Sequence, residues 1–243
     1  MTTRPIYVIP DIHGHLDQLD HALALIEADG GADAAVVFLG DYIDRGPDCR
    51  GVLDRLIAGQ QAGRDWTFLK GNHDRMMQWF LEPVPRWDPH WMVGLHWFHD
   101  RIGGATTLAS YGIEVSEARR YGEVHQSALA AVPSAHVEFL SRLKTHHVVD
   151  DLLFVHAGIA PDVPLEQQVE NDLVWIREPF LSHEGAHPWL VVHGHTALQR
   201  ARHFGNRIDL DGGAAYGRPL VPAVFEGREC WLLEKAGRVA LRP

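Results

Sequence analysis

Residues 34–48, AAVVFLGDYIDRGPD, decide the fold. The apolar run Ala34–Leu39 has the length and composition of a buried strand, and it empties at Gly40 into Asp41, Asp44, Arg45 and Asp48 within eight positions. Three carboxylates and a guanidinium directly behind a core strand suit an open α/β sheet, in which strand ends share one crevice. The pattern repeats along the chain. Asp11 and His13 follow IYVIP (6–10), Asn72 to Asp74 follow TFLKG (67–71), His156 follows LLFV (152–155), and His193 and His195 follow WLVV (189–192).

The segments between these strands fix the element order. Leu16, Leu19, Leu23 and Ile26 recur at helical spacing, as do Val52, Leu53, Leu56 and Ile57. A βαβαβ unit with parallel pairing is predicted, with Asp48 as N-cap of its second helix. Residues 74–146 change character: Trp79, Trp87, Trp91 and Trp97 crowd together, and polar helical segments such as Glu117 to Leu129 follow. A mostly helical insertion within a single domain spanning 1–243 is expected there, its tryptophans serving packing more than substrate stacking. From Val148 onward, short apolar runs separated by Gly, Pro and Asp predict strands.

Composition restricts the function. A chain of 243 residues, 46% hydrophobic, can bury a large core, and a net charge of −10 argues against a general nucleic-acid binder. Cys49 and Cys230 are too few for a disulfide framework and point to a reducing compartment. With no window approaching 18 apolar residues and no signal-peptide pattern, a cytoplasmic protein without a membrane partner is expected. The polar inventory at the strand ends is carboxylate, imidazole and one amide oxygen, without thiolate. That set suits manganese, iron or zinc as a divalent ion, and two ions fit the number of ligands better than one. Most of the 17 histidines have no such role and are expected at the surface or satisfied in the core.

The motifs DIHG (11–14), GDYIDRG (40–46), GNHD (71–74), HAG (156–158) and GHT (194–196), in that order, resemble the phosphoprotein phosphatase branch of the metallophosphoesterases, most closely its bacterial serine/threonine phosphatases. GGATTLASYG (103–112) and WIREPF (175–180) extend the resemblance over most of the chain. Each motif alone is weak; five in order are specific. The resemblance implies a four-layer calcineurin-like sandwich, with two mixed β-sheets flanked by helices. It implies Asp11 and His13 as ligands of one metal, Asn72, His156 and His195 as ligands of the other, and Asp41 as the bridge. A metal-bridging hydroxide would attack phosphorus in line, His73 would protonate the leaving oxygen, Asp44 would orient His73, and Arg45 and Arg177 would clamp the phosphate.

Three departures matter. Pro10 stands where the family commonly has Gly, and Asp74 where its protein phosphatases usually have Glu, a change shared with symmetrical diadenosine tetraphosphatases. His193, two residues before His195, is a further residue able to face the site by strand alternation. The expected reaction is hydrolysis of phosphoserine or phosphothreonine in proteins. Diadenosine tetraphosphate or a small phosphate ester is the alternative substrate, and an inactive phosphate-binding scaffold is the reading from outside the enzymes.

Overall fold

The computed structural model describes residues 4–90, 95–116 and 118–243. Trp91 and Glu117 lie outside the described residues. Strand β1 (Ile6–Ile9) leads through α1 (Leu16–Gly30) to β2 (Ala35–Phe38), then through α2 (Cys49–Gln61) to β3 (Trp66–Phe68). The three strands pair in parallel, Val8 against Val37 and Phe38 against Phe68. Asp48 caps α2, its Oδ1 accepting from Gly51 N at 2.8 Å.

Between β3 and the next strand come α3 (Asn72–Phe80), α4 (Gly104–Ser110), α5 (Tyr121–Ala131) and α6 (Ser134–Ser141). Strands β4 (His146–Val149) and β5 (Leu152–Val155), helix α7 (Glu170–Trp175), and β6 (Leu190–His193), β7 (Arg202–His203) and β8 (Arg207–Asp209) follow. Strands β9 (Ala223–Glu226), β10 (Glu229–Glu234) and β11 (Gly237–Leu241) close the chain. One sheet runs β11-β10-β9-β1-β2-β3 and the other β4-β5-β6-β8-β7, each mixing parallel and antiparallel pairs.

Strand alternation sorts side chains into the layers. Tyr7, Ile9, Val36 and Phe38 face α1, α2 and the helices after β3, while Ile6, Val8, Val37 and Leu39 face Phe154, Val192 and Ile208 of the second sheet. Leu153, Val155 and Val191 cover that sheet's far side together with Leu173 and Phe180. The result is the four-layer sandwich of two mixed sheets flanked by helices. Apolar surface on both faces leaves the loops at the strand ends as the place for buried polar groups. Among the described residues, no helix is long and apolar enough to cross a membrane.

Candidate active site

The loops after β1, β2, β3, β5 and β6 converge, and the backbone there is unusual. Among the described residues, five of the seven non-glycine residues with positive φ are His13, Asp41, Asp44, Arg45 and His195. Such conformations cost of order 1–3 kcal/mol each and persist where the surroundings enforce them. Asp74 does much of the enforcing. Its carboxylate is buried and accepts backbone N–H bonds from Asp41 (2.8 Å), Tyr42 (3.0 Å) and Gly71 (2.8 Å). The residue that departs from the usual Glu is thus a bracket between two loops. The glycines of GNHD and GHT supply space: a Cβ on Gly71 would collide with Asp41 Oδ1, and one on Gly194 with Asp11 Oδ1.

The side chains then gather around Asp41. His13 donates Nδ1–H to Ile43 O (2.8 Å) and His156 donates Nδ1–H to Leu39 O (2.9 Å), which leaves a lone pair on each Nε2. Both Nε2 atoms lie 3.5 Å from Asp41 Oδ2. His156 Nε2 also faces Asn72 Oδ1 at 3.0 Å, acceptor against acceptor, and His195 Nε2 is buried with no partner. Facing lone pairs and an orphaned imidazole nitrogen are satisfied together by a cation, so the donor set fits divalent metal. Among the described residues, ligand atoms of Asp41, His156 and His195 lie within 4.8 Å of one another, as do those of His13, Asp41 and His73. Asp11 closes the ring, taking the His195 N–H at 3.0 Å. Arg45 Nη1 rests 3.1 Å from His13 Nε2.

Burial sets the electrostatics. It raises Asp11 well above the carboxylate range, helped by Asp211 and Asp41, and raises Asp41 to about 8. It lowers His13 and His195, and takes His156 down to about 4. Uncompensated acids crowded beside neutral imidazoles are a strong demand for positive charge.

A second constellation abuts the first. His73 Nδ1 is 2.6 Å from Asp44 Oδ2, both side chains being buried. Trp97 Nε1 donates to Asp44 Oδ2 (2.9 Å), and Thr107 Oγ1 donates to Asp44 Oδ1 (2.6 Å) while accepting from Asp44 N (3.0 Å). Sequence reasoning missed both partners. A tryptophan in so aromatic a stretch reads as packing, and GGATTLASYG gives no local signal for Thr107. Burial pushes Asp44 up to about 7 and holds His73 well below the usual imidazole range.

Two further residues named from the sequence, His193 and Arg177, take different places. His193 turns away from the cluster, bonding Gly194 O (3.0 Å) and Arg207 Nη1 (3.2 Å), with burial lowering it to about 3. Rotation of the chain at His195, φ 66°, breaks the alternation that would have put both histidines on one side. Arg177 stands beside the cluster, its charge helping to depress His156 and His195. It lines a hollow of about 380 Å³ with His90 and Trp175. The larger groove, about 890 Å³ beside β7 and β11, contains none of the predicted site residues.

Residues 4–211 match the calcineurin-like phosphoesterase family model. The chain belongs to that family. Metal-dependent phosphatase chemistry comes with the membership. A serine/threonine-protein phosphatase 1 of Salmonella typhimurium is 26% identical over 234 residues, covering 90% of this chain and 91% of the relative. An asymmetrical bis(5'-nucleosyl)-tetraphosphatase of Anoxybacillus flavithermus is 22% identical over 203 residues, covering 76% and 73%. A cold-active protein-tyrosine phosphatase of a Shewanella species shares the fold at TM-score 0.62 and 19% identity, covering 99% of this chain and 81% of that one. The substrates these three names give differ.

Proposed function

We propose that this phosphoesterase hydrolyses phosphoserine and phosphothreonine in proteins, as a single cytoplasmic unit whose 74–146 segment is an insertion. In this reading Asp11 and His13 hold one ion, Asn72, His156 and His195 hold the other, and Asp41 lies between them. Manganese is the first choice, with iron and zinc as alternatives. When bound, two such ions supply positive charge to the phosphate oxygens and acidify the attacking water. Arg45 and Arg177 orient the phosphate with their guanidinium forks.

The observation that carries the substrate class is the His73–Asp44 pair, 2.6 Å apart in a water-excluded setting. An alkoxide leaving from serine or threonine is a strong base and must be protonated as the P–O bond breaks. A nucleotide leaving from a polyphosphate is a weak base and needs no such help. With Nδ1 donating to Asp44, His73 Nε2 is the atom that would deliver the proton; it takes that proton from solvent when the substrate's negative phosphate enters, and Asp44 stabilises the resulting imidazolium. Dinucleoside polyphosphate hydrolysis is the second reading, favoured by the similarity to the Anoxybacillus enzyme.

The test is leaving-group dependence. His73→Asn should lower kcat on an alkyl phosphate about 10²–10⁴-fold and on a nitrophenyl phosphate distinctly less, at unchanged metal content. Equal losses, with chemistry rate-limiting for both substrates, would remove the acid role and with it the argument for phosphoserine.

A further inference from the structure

Beyond Arg45 and Arg177, a further guanidinium stands near the site. After β8 the chain runs through Asp211 and Gly213, a short 3-10 turn at Ala214–Tyr216, and Gly217 to Arg218. Gly213 and Gly217 have φ of 87° and 77°, left-handed values that fold the loop back on itself. Arg218 therefore returns to the loop's start, donating Nε–H to Gly212 O at 2.6 Å. Its seat is shaped by the sequence: a Cβ on Gly213 would collide with Arg218 Nη2. Tyr216, 62% exposed, connects the two arginines, with Arg45 Cζ 5.6 Å and Arg218 Cζ 5.4 Å from its ring centroid.

Charge makes the arrangement informative. In a chain of net charge −10, nine of the 19 arginines, Arg4, Arg55, Arg75 and Arg238 among them, have a carboxylate within ion-pair distance among the described residues. Among the described residues, neither Arg45 nor Arg218 has a carboxylate within ion-pair distance. Asp211 is close enough to feel both charges, yet it is buried and accepts from Gly213 N at 2.8 Å. A guanidinium fixed by a backbone bond and an aromatic face, and left without a counter-charge, is preorganised for an incoming anion.

We propose that Arg218, seated against Tyr216, forms a second anion subsite beside the phosphate held at Arg45, and that it reads a second negative group carried by the substrate near the scissile phosphate. This deepens the phosphatase reading and rests on it. The group is either the carboxylate of an acidic residue flanking the phosphoresidue or the neighbouring phosphate of a polyphosphate.

The experiment compares four substrates in the metal-loaded full chain, in Arg218→Ala and in Arg218→Lys. They are a phosphoserine peptide with acidic flanks, the same peptide with alanine flanks, diadenosine tetraphosphate and nitrophenyl phosphate. Arg218→Ala should lower kcat/KM on the acidic peptide about tenfold relative to the alanine peptide, through KM. Added salt should shrink that loss, and Arg218→Lys should recover part of it. If the second group is a phosphate, the relative loss appears on the tetraphosphate and not on the acidic peptide. Equal loss on all four substrates, or no relative loss on either the acidic peptide or the tetraphosphate, overturns the subsite. Should Arg218→Ala melt early, Arg218→Lys and the salt dependence of the wild type carry the comparison. A wild type that cleaves neither nitrophenyl phosphate nor the peptides would count against the phosphatase reading. Calorimetric titration of the two peptides into wild type and Arg218→Lys then decides the subsite: equal affinities overturn it, and tighter wild-type binding of the acidic peptide supports it.

Discussion

Asp41 and Asp48, the same side chain seven positions apart, have opposite prospects. Asp41 Oδ2 lies 3.5 Å from two imidazole nitrogens, and Oδ1 accepts from His73 N at 3.0 Å. Asp48 caps a helix. Asp41→Asn should lose bound metal and activity together, because an amide has no full charge to hold cations. Asp48→Ala should keep both and cost about 1 kcal/mol of stability, the usual value of an N-cap. Elemental analysis and thermal melts separate them; two metals per chain retained by Asp41→Asn would remove it from its central place.

At the scale of the element, α4 and the stretch before it reach back to the acid. Thr107 and Trp97 come from 63 and 53 residues away and occupy both oxygens of Asp44. A carboxylate that accepts two such bonds has one orientation, which in turn fixes the His73 ring. Thr107→Val, nearly the same shape, takes the partner from buried Asp44 Oδ1 and leaves the Asp44 amide with Cys49 Sγ alone (3.2 Å), a loss of about 1–3 kcal/mol. Its kcat on an alkyl phosphate should fall about tenfold while KM holds, with a smaller change on nitrophenyl phosphate, since it acts through the acid and not on the phosphate. An equal fall on the two substrates would assign Thr107 to stability alone.

At the scale of the whole molecule, the buried charges couple metal to folding. Burial raises Asp41 to about 8 and Asp44 and Asp74 to about 7, all above the unfolded value near 3.9. The stability these groups contribute is complete in acid and is lost as pH climbs through the raised values. Burial lowers His13, His73, His156, His193 and His195; their contribution is complete above the unfolded value near 6.5 and is lost below it. The two sets oppose each other below about pH 6.5, which leaves about 6.5–8.5 as the window where the carboxylates act without the histidines. The metal-free protein should melt progressively lower across that window, and saturating manganese should abolish the slope. A flat metal-free profile by scanning fluorimetry would mean the acids are already compensated.

Local sequence sufficed for most strands, though not for β4 and β7, and for the parallel βαβαβ start, the α2 cap and the polar groups at the strand ends. Each is written in neighbouring residues: alternation or helical spacing over one segment, a cap three residues from its amide, a glycine where a turn must pass close to a carboxylate. It also carried the ordered motifs through which the family was legible. Long-range packing sets the rest: Trp97 and Thr107 hold Asp44, Asp74 brackets two loops, His193 turns toward Arg207, and Arg218 seats against Gly213. Those outcomes depend on which side chains meet across tens of residues once the sheets and helices are packed. Spacing along the chain encodes which face of an element a residue occupies, and packing alone encodes what that face will meet.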